Sequence, residues 1–168
     1  MSNNSSSTFS NFIVAAGVIL AVSYPVLAIS TGFRAAFQLM EGETTNSPWL
    51  TLLGALCYTV ATIGFAKQPR DATAETKPAR TPWGRWYQAL KIENAWRISV
   101  YVLVFESVMT VVVGGLSVAS YDVFGRNVWQ FFGADYGYLP LIHPLLGILW
   151  LFNPVTMRRY GIRQYDKQ

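Results

Sequence analysis

The chain has very little of the chemistry on which most enzyme families depend. It contains one cysteine, Cys57, and one histidine, His143, among 168 residues. A single cysteine excludes an intrachain disulfide and a cysteine-based metal site within the chain. The sequence also contains no P-loop, dinucleotide-binding fingerprint, H-E-x-x-H motif or nucleophile elbow. We therefore expect a protein that is not an enzyme and that has no metal centre.

Charge is scarce as well. Charged residues make up 13% of the chain and hydrophobic residues 52%, and the amino-terminal MSNNSSSTFSN lacks the basic region that opens a signal peptide. The net charge of +4 could suggest a nucleic-acid partner. The basic residues, however, lie next to long apolar runs, which is typical of membrane anchoring. We therefore expect lipid and other membrane protein subunits as partners, and no nucleic acid.

Four apolar runs dominate the sequence, at about 12–40, 49–66, 98–120 and 138–156. The third is long enough, at about 30 Å as a helix, to cross the hydrocarbon core of a bilayer. Pro25 interrupts the first run and predicts a kink there. The sequence therefore predicts an all-α integral membrane protein, a single membrane domain over residues 1–168, with four transmembrane helices and one or two short interfacial helices.

Two aromatic segments lie outside these runs. The connection 67–97 begins with a polar stretch rich in Pro, Ala and Thr, which favours a mobile loop. Thr81 and Pro82 then predict the start of a helix over about 82–96. Its aromatic residues are candidate interfacial anchors or contacts to a partner subunit: Trp83, Trp86, Tyr87 and Trp96. The segment 121–137 is too apolar for a free loop and predicts a second interfacial or partner-covered segment, with Trp129 as a candidate interfacial anchor.

The basic residues are distributed unevenly between the connections. Lysine and arginine are concentrated in 67–97 and in the carboxy-terminal tail, whereas the other two connections hold only Arg34 and Arg126. With four spans, the positive-inside rule places both termini and the connection 67–97 in the cytoplasm. The expected location is a prokaryotic inner membrane or a photosynthetic membrane.

Glu106 is an acidic residue well inside the third apolar run. A charge at this depth costs a few kcal/mol, so the side chain should be protonated, hydrogen-bonded or directed into a polar crevice. One interpretation is a proton or ion site of a small proton-coupled transporter or channel. The other is a neutral acid bonded to Ser107, Tyr101 or a neighbouring helix.

His143 allows a different hypothesis. A lone imidazole can supply one axial ligand to haem iron or to the magnesium of a chlorophyll-type pigment, but not a bis-histidine site within one chain. It lies between Pro140 and Pro144 in the first turn of its predicted helix, where a polar interfacial residue needs no special role. The abundant aromatic residues could also line a quinone or lipid contact, although most lie near predicted span ends, where aromatic belts are ordinary.

The layout itself favours a non-catalytic accessory subunit. Short loops and few polar residues within the spans leave little room for a transport path, while the lateral apolar surface is large. We expect this subunit to stabilise a larger membrane complex, with a respiratory or photosynthetic assembly as the candidate class. The pigment- or haem-binding protein based on His143 and the transporter based on Glu106 remain the alternatives.

Overall fold

The computed structural model describes residues 3–67 and 81–162, and it contains no strand within them. These residues form seven α-helices and one 3₁₀ segment. The helices are α1 (Asn3–Met40), α2 (Ser47–Ala66), α3 (Pro82–Ala89), α4 (Ile92–Ala119), α5 (Tyr121–Phe124), α6 (Leu139–Leu151) and α7 (Pro154–Arg159), and the 3₁₀ segment, Gln130–Tyr136, precedes α6. The prediction of an all-α chain is confirmed for the described residues.

Three helices are long and apolar enough to cross a membrane. They are Ala15–Met40 within α1, Ser47–Ala66 and Ile92–Ala119. The first of these helices stays helical through Pro25. The apolar helix α6 has only 13 residues, or about 20 Å, so a fourth complete crossing is not established.

The four apolar helices pack in a closed ring, in which α1 contacts α2, α2 contacts α4, α4 contacts α6, and α6 returns to α1. Small residues allow these close approaches. A side chain at Gly17 would overlap Trp150, and one at Gly64 would overlap Ser99. A single apolar core fills the ring. We call the end of the ring where α2 ends and α4 begins the α3 end, and the opposite end the far end.

The helix α6 is short because an irregular segment occupies the space above it. Thr110 donates a hydrogen bond to the carbonyl of Pro140 at 3.0 Å, so α6 begins about 13 Å below the far end of α4. Residues 125–138, the far-end segment, fill the remaining depth. They adopt left-handed backbone angles at Phe131 (φ 46°), Phe132 (φ 60°) and Gly133 (φ 81°), which is rare for bulky residues.

Side chains from the helices hold the far-end segment in place. Ser117 accepts a hydrogen bond from the backbone of Phe131 at 2.9 Å, and Gln38 donates to the carbonyl of Arg126 at 2.6 Å. Ser47 donates to the same carbonyl. Such bonds are needed because an irregular, partly buried backbone cannot satisfy all of its polar groups as a regular helix does.

Several predicted boundaries differ from the structure. The interfacial helix predicted over 82–96 ends at Ala89, because Leu90 and Lys91 are extended, and α4 then begins at Ile92 instead of 98. The span predicted over 138–156 divides into α6 and α7, because Asn153 is extended before Pro154. The polar stretch predicted as a mobile loop lies outside the described residues over 68–80, as does the tail from 163 onward.

Candidate functional site

Four polar side chains, one from each apolar helix, lie close together in the ring. They are Tyr24 from α1, Tyr58 from α2, Glu106 from α4 and His143 from α6. Tyr24 lies at the centre of the group. Its hydroxyl is 3.4 Å from Glu106 Oε2, and its ring centroid is 5.9 Å from the rings of both Tyr58 and His143. We call these four residues the central cluster.

The helical period explains why Glu106 points inward. Leu103, Glu106, Thr110 and Val113 recur at spacings of three and four residues and form the buried face of α4. Glu106 is 1% exposed. Its Oε2 lies 3.4 Å from the hydroxyl of Tyr24 on the neighbouring α1, and both interpretations of this acid stay predictions.

The hydrogen bonds of the central cluster are incomplete. Among the described residues, three buried atoms of the cluster have no hydrogen-bond partner: Glu106 Oε1, the Tyr58 hydroxyl and His143 Nδ1. The Tyr24 contact of 3.4 Å is at the long limit for an O–H···O bond. Because buried polar groups are almost always satisfied in native proteins, these three atoms are candidate sites for a bound water or an exchanging proton.

His143 lies at the ring of helices and is half-buried. Its Nε2 is 3.1 Å from Ser23 Oγ, and its ring packs edge-on against Tyr24. The helices that carry Glu106 and His143 do face each other, with Tyr24 between the two side chains. An axial bond from Nε2 to a haem or pigment would have to replace the contact to Ser23. His143 Nδ1 has no partner among the described residues, and the pigment hypothesis stays a prediction.

The candidate anchors on α3 and α4 have different environments. Trp83 and Trp86 stack with centroids 5.0 Å apart and are 63% and 50% exposed, while Tyr87 lies under the ammonium of Lys67. These positions on α3 suit an interface. Trp96 belongs to α4 and donates from Nε1 to the carbonyl of Leu151 at 3.1 Å.

Trp129 differs from all of these. It is fully buried and packs near Gly54 of α2, because the far-end segment turns into the ring. Trp129 was predicted as an interfacial anchor, but in the structure its side chain is in the core and has no exposed surface.

Ion pairs at the far end were not anticipated from the sequence. Arg34 and Arg126 both contact Oδ2 of Asp135, at 3.3 and 3.1 Å, and Arg34 also donates to the hydroxyl of Tyr136 at 3.2 Å. The two basic residues of this end therefore share one carboxylate. Asp135 is one of two acids between the third and fourth apolar runs, so the sequence alone could not single out that pairing.

Tyr24 and Tyr58 were also missed as members of the site. The available signal was a pair of tyrosines in the interior of apolar runs, where a hydroxyl needs a partner. Within the described residues there is no group of three or more His, Cys, Asp and Glu side chains that could hold a metal ion.

This chain matches no family model, no curated protein and no solved structure.

Proposed function

We propose that the chain is a non-catalytic membrane subunit that assembles laterally with another membrane protein through the outward face of α4. The observation that carries this proposal is a shallow concave strip on that face, with a volume of about 300 Å³. Ser107, Val108, Val111 and Val112 line it. Small and β-branched residues of this kind let a second helix approach closely in a membrane.

The next turn extends the same strip. Gly115 is exposed, and a Cβ placed there would have no neighbour within 4 Å. Tyr101, two heptads before it on the same face, is 73% exposed and offers a hydroxyl group. A partner helix seated on this strip would fill the space beside Gly115 and give the hydroxyl an acceptor.

Gly115 also provides a clean experiment. Because the space around it is open, Gly115→Leu should leave the isolated chain folded and should block only the approach of a partner. Val22→Leu, at an equally lipid-accessible position on α1, is the matched control. Each variant is extracted from its native membrane in mild detergent and analysed by native gel and mass spectrometry.

We expect a stoichiometric partner with the unmodified chain and with Val22→Leu, and its loss with Gly115→Leu. The identity of that partner tests the respiratory or photosynthetic assignment. A chain that runs alone, or a partner retained by Gly115→Leu, contradicts the proposal.

The central cluster supports a second candidate, proton coupling through Glu106. The specific observation is that Tyr24 contacts one buried acid, while Tyr58 and His143 from two other helices pack against Tyr24. Such acids mark proton pathways in many transporters and pumps.

Glu106→Gln keeps the shape and a hydrogen-bonding group but cannot exchange a proton. Reconstituted vesicles with a pH-sensitive dye should therefore show proton flux for the unmodified chain and none for Glu106→Gln. Equal flux in the two removes this candidate.

A further inference from the structure

A second concave site lies at the α3 end, between the first turns of α4 and the chain that leaves α6. Its volume is about 610 Å³, which is within the range of ligand-binding clefts. The residues that line it include Glu93, Trp96, Arg97, Phe152, Met157 and Ile162. It is separate from both the central cluster and the strip on α4.

The lining of this cleft is mixed, and its aromatic part is held by contacts within the protein. Trp96 packs edge-on against Phe152 with centroids 5.5 Å apart, and its indole nitrogen is bonded to Leu151. Met157 is 5% exposed and closes the base. Aromatic walls held in this way can accept the glycerol and first methylene groups of a lipid without reorganising.

Charge of both signs lies at the mouth of the cleft. Arg97 and Glu93 form an ion pair of 2.6 Å between side chains that are 59% and 52% exposed. An exposed pair of this kind contributes little to folding and can exchange its partners readily. A ligand with one negative and one positive group could therefore bind to both side chains together.

The depth of the cleft matches a lipid headgroup. The apolar run of α4 begins at Ile98, immediately after Arg97, and the exposed tryptophans of α3 lie at the same end. Arginine and tryptophan at such a boundary are typical of the headgroup layer.

We propose that this cleft binds a zwitterionic phospholipid of the phosphatidylethanolamine type. Its phosphate contacts Arg97, its ammonium contacts Glu93, and its glycerol backbone lies against Trp96 and Phe152. A phosphatidylglycerol headgroup has no positive charge for Glu93, so the same site should bind it more weakly.

The test uses the full chain, delipidated in detergent and titrated with phosphatidylethanolamine or phosphatidylglycerol, with bound lipid counted by native mass spectrometry. Arg97→Gln should lose most of the bound phosphatidylethanolamine. Glu93→Gln should reverse the preference toward phosphatidylglycerol, because it removes the negative charge and leaves Arg97 free. Arg126→Gln is the matched control, since Arg126 is an exposed, ion-paired arginine at the far end, and it should bind as the unmodified chain does.

Melting temperatures of the three variants separate binding from folding. Because all three positions are exposed, we expect them to melt close to the unmodified chain. Lipid binding that is unchanged by Arg97→Gln, or a preference that Glu93→Gln does not reverse, overturns the proposal. So does recovery of a quinone or a peptide from the purified chain in place of the lipid.

Discussion

Two aromatic segments flank α4, and they have opposite environments. On one side, α3 presents Trp83 and Trp86 outward, stacked on each other. On the other side, the far-end segment turns Val128 and Trp129 into the core, where both are fully buried. Similar composition therefore leaves Trp83 and Trp86 on the surface at one end of the ring and buries Trp129 at the other, where Phe131 and Tyr138 stay exposed.

The backbone accounts for the difference. The helix α3 begins with Thr81, whose side chain accepts from the amide of Gly84, and it continues as a regular helix that stays on the surface. The far-end segment has positive φ at Gly125 (55°), Gly133 (81°) and Gly137 (60°), and these turns direct the chain back into the ring. Whether the aromatic residues of such a segment are buried or exposed thus depends on its backbone turns more than on how many aromatic residues it has.

The largest expected effect distinguishes the two tryptophan environments. Trp129→Ala leaves a cavity in the core and should lower the free energy of unfolding by about 3–5 kcal/mol. Trp86→Ala, on the exposed face of α3, should change it by no more than about 0.5 kcal/mol. Denaturant unfolding in detergent micelles measures both.

A milder variant sharpens the same comparison. The indole nitrogen of Trp129 is buried without a partner among the described residues, so Trp129→Phe removes an unsatisfied donor while it keeps most of the packing. It should cost clearly less than Trp129→Ala. Equal losses for Trp86→Ala and Trp129→Ala would contradict the burial of Trp129.

A smaller effect separates two glycines of the far-end segment. Both Gly133 and Gly137 have positive φ, so alanine is strained at either position. A Cβ at Gly133 would in addition lie 2.6 Å from Pro140, whereas one at Gly137 meets nothing within 4 Å. Gly133→Ala should therefore lower the melting temperature more than Gly137→Ala, by the equivalent of about 1–3 kcal/mol. Equal shifts would mean that Gly133 does not approach α6 so closely.

The smallest effect concerns the ion pairs at the two ends. Asp135→Asn removes the carboxylate shared by Arg34 and Arg126 and should cost about 1 kcal/mol, less at high salt. Glu93→Gln breaks a more exposed pair within one helix and should cost no more than about 0.5 kcal/mol. Thermal unfolding at low and high salt measures both differences. If Glu93→Gln lowers the free energy of unfolding more than Asp135→Asn does, the ranking of the two ion pairs by burial is wrong.

Much of the helical architecture could be predicted from apolar length alone. The runs at 12–40, 49–66 and 98–120 correspond to α1, α2 and α4, because a long apolar run has few alternatives to a helix. The ends of the helices were less predictable. The extended residues Leu90 and Asn153, which end α3 and precede α7, depend on local turns that periodicity does not report.

The central cluster was predictable only in part. Glu106 and His143 stand out in the sequence because each is a rare polar residue in an apolar run. Their connection through Tyr24 depends on which faces of α1, α4 and α6 meet, and that is set by packing across a sequence separation of 82 residues for the Tyr24–Glu106 bond. The turn of Trp129 into the core needed the same three-dimensional information.

The closed ring has a consequence for the order in which the chain folds. The indole of Trp150 in α6 donates to the carbonyl of Ile13 in α1 at 2.8 Å, so the last apolar helix docks onto the first. At 13 residues, α6 is too short to cross a hydrocarbon core by itself. It depends on the helices that it contacts, α1 and α4, and until it docks the acid at position 106 lacks part of its covering. The ring can therefore close only after residues 139–151 have been synthesised.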